Sequence, residues 1–245
     1  MMLAGRTLLI TGAARGLGRE IARTCAAAGA RLVLADIDAG VQSVADDLDA
    51  RGALVDLGDP GSIAALADSI TATEGALHGL CNNGAIATNV GGMGFEDIEL
   101  DLWDRVQRVN VRGTWLMTRA CAPLLRASGS GRVVNVASDT ALWGAPRLLA
   151  YTASKGAVMA MTRSLARELG PDRVGVTCIA PGILTTESTE YVPEARHRLY
   201  HDGRAVPGPQ PASDVTATVA FLLSEGALTL TGQTLPVNNG FVFLT

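Results

Sequence analysis

The chain reads as a single α/β domain, residues 1–245, built on a doubly wound parallel sheet of about seven strands flanked by helices. Three observations predict this. Strand-like and helix-like segments alternate along the whole length, which places helices on both faces of a parallel sheet. The strand-like runs are mostly apolar, and Arg132 to Ala137 is nearly continuous, as a strand buried on both sides must be. The composition, 48% hydrophobic against 18% charged over 245 residues, suffices for one sizeable core.

Taken in order, Arg6 to Ile10 reads as the first strand. A helical pattern follows from Leu17 to Ala28 and stops at Gly29. Arg31 to Ala35 is the second strand and Ala53 to Asp56 the third. Pro60 to Thr73 reads as a helix with proline near its start, where the missing N–H is harmless. Leu77 to Asn82 is the fourth strand, Trp103 to Leu125 a long helix, and Arg132 to Ala137 the fifth strand. Tyr151 to Leu169 is a helix ended by Gly170-Pro171. Val174 to Ala180 is the sixth strand. Glu187 to Gly203 is polar and helix-prone, Ser213 to Leu223 is a helix, and Leu235 to Val237 is a short last strand. The sequence contains no repeat, low-complexity tract or linker.

The bulk properties exclude several classes of function. The net charge is −4 and no basic stripe is present, which argues against a nucleic-acid partner. No apolar stretch reaches the ~18 residues that span a bilayer, and the N-terminus carries no signal-peptide pattern. Cys25, Cys81, Cys121 and Cys178 lie scattered in apolar segments without metal-ligand spacing. Buried free thiols in a reducing cytoplasm are the expectation. His197 and His201 are four apart but have no third ligand nearby, so no metal site is expected.

Two patterns carry chemistry. Gly12, Gly16 and Gly18 form a glycine-rich turn between the first strand and first helix, and Asp36 ends the second strand. Glycines let backbone approach a pyrophosphate, the helix N-terminus offers free N–H groups, and an acid at that strand tip can bond ribose hydroxyls. Tyr151 and Lys155 are four apart on one helix face. A neighbouring cation favours the phenolate, so Lys155 should lower the Tyr151 pKa and suit it to proton exchange with a carbonyl or alcohol oxygen. Alone, the Tyr-x-x-x-Lys pattern also fits an exposed helix pair.

With these motifs in order, the chain resembles the short-chain dehydrogenase/reductase family of the compact, roughly 250-residue type with a Rossmann-like fold. The matching positions are the turn Thr11-Gly12-x-x-x-Gly16-x-Gly18, Asp56-Leu57, Asn82-Asn83-Gly84-Ala85, Asn110, Ser138, Tyr151 and Lys155. Pro181-Gly182 and Thr231-Gly232-Gln233 complete the series. The resemblance implies hydride transfer between a nicotinamide dinucleotide and a carbinol carbon. Tyr151 would be the proton donor and acceptor, and Lys155 would tune it and hold the nicotinamide ribose. Ser138 would orient the substrate oxygen. Asn110 would kink the long helix and hold a proton-relaying water.

On the same resemblance, Gly12, Arg15, Gly16, Leu17, Gly18, Asp36, Asp56, Leu57, Asn83 and Gly84 would hold the adenosine and pyrophosphate. Pro181, Gly182, Ile183 and Thr186 would hold the carboxamide, with Thr185 the alternative to Thr186. Two departures stand out. Gly84-Ala85 is reversed relative to the family, and Val237-Asn238-Asn239-Gly240 stands where relatives often have an acid and two glycines.

Asp36 favours NAD as the cofactor, although Arg15 beside Gly16 is a complication. Ser138, Trp143, Leu148, Tyr151 and Leu184 are the predicted substrate contacts. This wall suits a neutral secondary alcohol or ketone, including a cyclic one, with Arg147 as the nearest basic side chain. Residues 184–210 would form a substrate lid. Rival readings are a 3-oxoacyl-thioester reductase and a non-catalytic NAD sensor. Apolar residues on several faces of the two long helices, such as Val158, Met159 and Met161, predict a homotetramer, with a dimer second.

Overall fold

Leu8 and Ile10 point to one face of the sheet and Leu9 to the other, and all three are fully buried. That period of two, repeated in neighbouring strands, divides the core into two layers. The computed structural model describes residues 1–244. Its sheet has seven strands: β1 (Thr7–Thr11), β2 (Arg31–Asp36), β3 (Arg51–Leu54), β4 (Gly79–Asn82), β5 (Arg132–Val136), β6 (Gly175–Pro181) and β7 (Thr234–Val237). They pair in parallel in the order β3-β2-β1-β4-β5-β6-β7.

The helices are α1 (Gly16–Ala27), α2 (Val41–Asp47), α3 (Pro60–Glu74), α4 (Leu100–Gln107) and α5 (Thr114–Ala127). They continue with α6 (Thr140–Trp143), α7 (Leu149–Leu169), α8 (Glu194–Gly203) and α9 (Ser213–Leu222). One core layer packs Leu8, Ile10, Leu34 and Val134 against Ile21, Cys25, Val44, Val215 and Val219 from α1, α2 and α9. The other packs Leu9, Val33, Leu80 and Val133 against Ile63, Ile70, Met117 and Leu125 from α3 and α5. Each such large side chain contributes roughly 1.5–3 kcal/mol on burial. The chain leaves the sheet's outer edge at β3 and crosses back to start β4 beside β1. At that switch point the helices on either side diverge and open a crevice beyond the C-terminal strand ends.

Four local expectations need correction. The third strand runs Arg51–Leu54, not 53–56, so Asp56 lies on the loop beyond it. Short helices α2 and α6 were not anticipated. The long helix of 103–125 is interrupted between α4 and α5 by a π-helical turn, Arg108–Gly113, which contains Asn110. Within 187–203, only Glu194–Gly203 is α-helical, preceded by a single 3₁₀ turn at Glu187–Thr189. No helix among the described residues is long and apolar enough to cross a membrane.

Candidate active site

The crevice is a cavity of about 650 Å³ whose walls come from the C-terminal ends of β1, β2, β4, β5 and β6. At one end the wall is backbone. A Cβ on Gly12 would sit 2.6 Å from Gly84 Cα, and one on Gly18 would sit 1.9 Å from the Gly12 carbonyl oxygen. The three glycines therefore pack main chain against main chain. Asn83 locks the arrangement by donating from Nδ2 to Thr11 O and Gly12 O, both at 3.0 Å. Gly84 N donates to Thr11 Oγ1 at 3.0 Å. These contacts explain the Gly84-Ala85 order, because position 84 is the one pressed against Gly12.

No side chain caps the N-terminus of α1, so its first N–H groups remain available to an anion. Arg15, Leu17 and Gly18 line the cavity there. Asp36 is fixed at the rim, its Oδ2 accepting from Ala14 N at 2.9 Å and its Oδ1 from Asp38 N at 3.0 Å. A glycine cradle that any Cβ would fill, an uncapped helix start and an anchored carboxylate together fit a dinucleotide.

At the other end the cavity is lined by Ser138, Tyr151 and Lys155. Ser138 follows β5 and is buried, and its Oγ accepts from Thr140 Oγ1 at 3.0 Å. Lys155 Nζ donates to Val136 O at 2.7 Å and lies 5.6 Å from the centre of the Tyr151 ring. The charge balance differs from the sequence expectation. Burial pushes the Tyr151 phenol above its ordinary value, and hydrogen bonding with Ser138 opposes this only in part. Burial also pulls Lys155 down to about 8, so the ammonium that was to lower the tyrosine is itself weakened. Desolvation is the largest influence on both groups.

A family model described as Enoyl-(Acyl carrier protein) reductase matches residues 12–242. The chain belongs to the short-chain dehydrogenase/reductase family. It is 35% identical over 243 residues to a 3-alpha-(or 20-beta)-hydroxysteroid dehydrogenase of Mycobacterium tuberculosis, covering 98% of this chain and 90% of that one. A crystal structure of 3-ketoacyl-(acyl-carrier-protein) reductase from Brucella melitensis, complexed with NADH, superposes with a TM-score of 0.90 at 31% identity. It covers 98% of this chain and 99% of that one. A putative NAD(P) dependent gluconate 5-dehydrogenase from Beutenbergia cavernae with bound NADP gives 0.91 at 33%, covering 98% and 97%. The chain is thus an oxidoreductase, on a fold that holds a nicotinamide dinucleotide in these relatives.

Against this family frame, Gly12, Arg15, Leu17, Gly18, Asp36, Asp56, Leu57, Asn83, Gly84, Pro181, Gly182, Leu184 and Thr186 all line the cavity. Thr186 lines it, whereas Thr185 is not among the lining residues; its N–H donates to Gln210 O and it bridges to Pro211. Gly16 does not line the cavity; it makes the turn itself, at φ +53°. Asn110 lies behind the wall. Its Oδ1 accepts from Ile86 N at 2.8 Å, and its Nδ2 donates to Ile86 O and Ser154 Oγ.

Three predicted contacts stand elsewhere. Trp143 turns away into an aromatic cluster with Tyr200 and Phe241. Leu148 packs into a small core with Val90, Val106 and Ala150. Ile183 gives its carbonyl to Arg204 Nη2 at 2.6 Å. Arg147 donates from Nε to Gly92 O at 2.8 Å.

Sequence reading missed Thr189, Thr88, Arg105, Arg108 and Arg112, all of which line the cavity. The three arginines are spaced i, i+3, i+7, a one-face pattern that was readable in the sequence. Thr189 and Thr88 gave no such signal.

Proposed function

We propose that the chain is an NAD-preferring dehydrogenase of neutral secondary alcohols, including cyclic ones, working in reverse as a ketone reductase. The observation that carries this reading is that Ser138, Tyr151 and Lys155 line one cavity with the glycine cradle and Asp36. A bound nicotinamide would supply hydride acceptance and donation at the carbinol carbon. Ser138 would hold the substrate oxygen by hydrogen bonding as charge develops on it. Tyr151 would exchange the hydroxyl proton at that oxygen, and its raised pKa suits it to donating in the reductive direction. Lys155 would hold ribose hydroxyls and support the phenolate. Leu184 and the apolar parts of Ile86 and Ala87 offer an uncharged surface to the rest of the substrate. The segment 184–210 would act as the lid that sheds water.

The preference for NAD rests on Asp36, whose fixed carboxylate would repel a phosphate on the adenosine ribose. Ile37, next along, is 70% exposed and brings no positive charge. We expect kcat/KM with NAD to exceed that with NADP by at least about tenfold, and Asp36→Ala to narrow the gap. Equal efficiency with both cofactors in wild-type enzyme would overturn the preference. The deciding screen compares neutral cyclic alcohols, hydroxy acids and a 3-oxoacyl thioester by the change in reduced-nicotinamide absorbance. Best turnover on the thioester would favour the rival reductase reading, and no turnover on any would favour the sensor.

For assembly, the reading is a homotetramer in a reducing cytoplasm. A shallow concavity on the α4–α5–α7 face combines apolar Val111, Trp115 and Met161 with charged Asp104, Arg108 and Arg112, and Trp115 is 43% exposed. Val158 and Met159, two of the residues behind the sequence argument, are buried within the chain itself, so Met161 is the one that supports it. A monomer in light scattering at micromolar concentration would contradict the assembly.

A further inference from the structure

Asp139 follows Ser138 directly and is completely buried, yet it makes no salt bridge among the described residues. Its two oxygens are taken by neutral donors. Oδ1 accepts from the Tyr200 hydroxyl at 2.6 Å, and Oδ2 accepts from Asn238 Nδ2 at 3.1 Å. Its own N–H donates to Pro181 O at 3.0 Å. The carboxylate thus joins α8 to the segment after β7, while the backbone N–H of the same residue ties the end of β5 to the end of β6.

Tyr200 is braced in turn. Trp143 Nε1 donates to its hydroxyl at 3.1 Å, and the Phe241 ring stacks on it at 4.2 Å. The nearby guanidinium groups are turned onto rings, Arg196 over Trp143 and Arg204 over Tyr200. A buried carboxylate without an ion-pair partner is unfavourable in a position that only fills space.

What it positions can be traced outward. A His197 ring nitrogen on α8 meets Thr189 O at 3.2 Å, and Arg204, just past α8, donates to Ile183 O at 2.6 Å. The stretch between them contributes Leu184, Thr186 and Thr189 to the cavity. A Cβ on Gly182, which also lines the cavity, would stand 3.0 Å from both Asp139 Oδ2 and Tyr200 Cε1. The cluster therefore backs the cavity wall closely at Gly182.

We propose that Asp139 is a positioning residue: through Tyr200 and Asn238 it fixes α8, and with it the 183–189 wall, at the distance from Ser138 that closes the substrate end of the site. Asn238 is its matched donor, since an acid at position 238 would set two carboxylates face to face. The proposal rests on the dehydrogenase reading for its kinetic consequence but not for its structural one.

The test uses the full chain with Tyr200→Phe, Asn238→Asp and the exchanged pair Asp139→Asn/Asn238→Asp. Kinetics are read on the best neutral alcohol, affinity for ADP-ribose by titration, and amide hydrogen exchange over residues 194–203. Tyr200→Phe keeps the ring stack but leaves a buried acceptor unpaired. It should raise the alcohol KM by about tenfold or more and speed exchange in α8, while affinity for ADP-ribose, which lacks the carboxamide expected at 181–186, stays within about twofold. Asn238→Asp should do the same, and the exchanged pair should return KM to within about threefold of wild type, because donor and acceptor are matched again. Wild-type KM and exchange in both single variants would overturn the proposal, as would an exchanged pair no better than Asn238→Asp. Should the wild type turn over no alcohol or ketone, the functional reading fails, while exchange over α8 still decides the role of Asp139.

Discussion

At the dinucleotide end of the cavity the wall is main chain. Gly12, Gly18 and Gly84 touch backbone to backbone, and Asn83 and Asp36 are fixed by peptide groups. At the substrate end the wall is held by side chains that meet from far apart in sequence: Asp139 with Tyr200 and Asn238, Trp143 with Phe241, and Tyr191, whose hydroxyl donates to Ala87 O. An ion pair, Arg19 with Glu187 at 2.8 Å, ties α1 to the 3₁₀ turn at Glu187–Thr189. It is partly exposed and contributes at most about 1 kcal/mol. Main-chain walls admit only glycine and so leave a mark in the sequence. Side-chain walls can be built in many ways, and this lets relatives of similar fold carry different substrates.

The comparison breaks most sharply at the residue both ends serve. Tyr151→Phe keeps the ring and removes the proton. We expect kcat to fall at least about a hundredfold with dinucleotide affinity little changed. Near-normal turnover in a single-turnover assay would show that the proton travels by another group.

The main-chain end is tested by Gly18→Ala. The added methyl would meet Gly12 O at 1.9 Å and Asn83 Nδ2 at 2.5 Å, neither of which is the free end of a flexible chain. Dinucleotide Kd should rise by about tenfold or more and thermal stability should drop. A variant that binds as wild type does, measured by calorimetry, would mean that the turn yields.

These two positions also show how far the sequence was legible. The glycine turn, Asp36, Tyr151 and Lys155 were readable because their geometry is local: a strand end, a helix start, one turn of helix; Ser138 came through resemblance. The π-helical turn around Asn110 was expected as a kink through resemblance alone, since no local pattern specifies it. Trp143 and Leu148 were read as substrate contacts because bulky apolar residues follow β5. Whether such a residue faces a cavity or a neighbouring core is decided by partners such as Tyr200, Phe241 and Val90, which lie tens of residues away. The pKa expectation for Tyr151 failed for a related reason. Spacing shows the cation beside the phenol but not the burial that outweighs it.

That burial predicts a pH dependence of moderate size. Lys155 titrates at about 8 in the fold against an ordinary 10.5. Below about 8 it is charged and can hold ribose and support the phenolate. As pH rises through 8 the charge is lost, so ketone reduction should decline while Tyr151, pushed up, remains protonated. The fold responds in the opposite sense. Over 8 to 10.5 the unfolded chain binds the extra proton, so this residue's contribution to stability rises with pH. Paired pH profiles of kcat and of the unfolding midpoint read both trends. A reduction rate that is flat across this window would place the Lys155 pKa well above 8 in the working enzyme.

The smallest expected effect lies at Arg147, and it tests the substrate end by what should not happen. Arg147 is the basic side chain nearest in sequence to the predicted pocket, and a carboxylate substrate would need such a group. In the fold it sits at a left-handed φ of +58°, is exposed, and donates from Nε to Gly92 O at 2.8 Å, while Gly92 N donates back to its carbonyl at 2.8 Å. It does not line the cavity. Its role is to tie the loop after β4 to the start of α7. Arg147→Ala should therefore change kcat/KM by less than about threefold, and equally for neutral alcohols and hydroxy acids. The one lost, solvent-exposed hydrogen bond should lower stability by about 0.5–1.5 kcal/mol at most. A selective loss on hydroxy acids, with neutral alcohols untouched, would turn this residue into a carboxylate clamp and the substrate class with it.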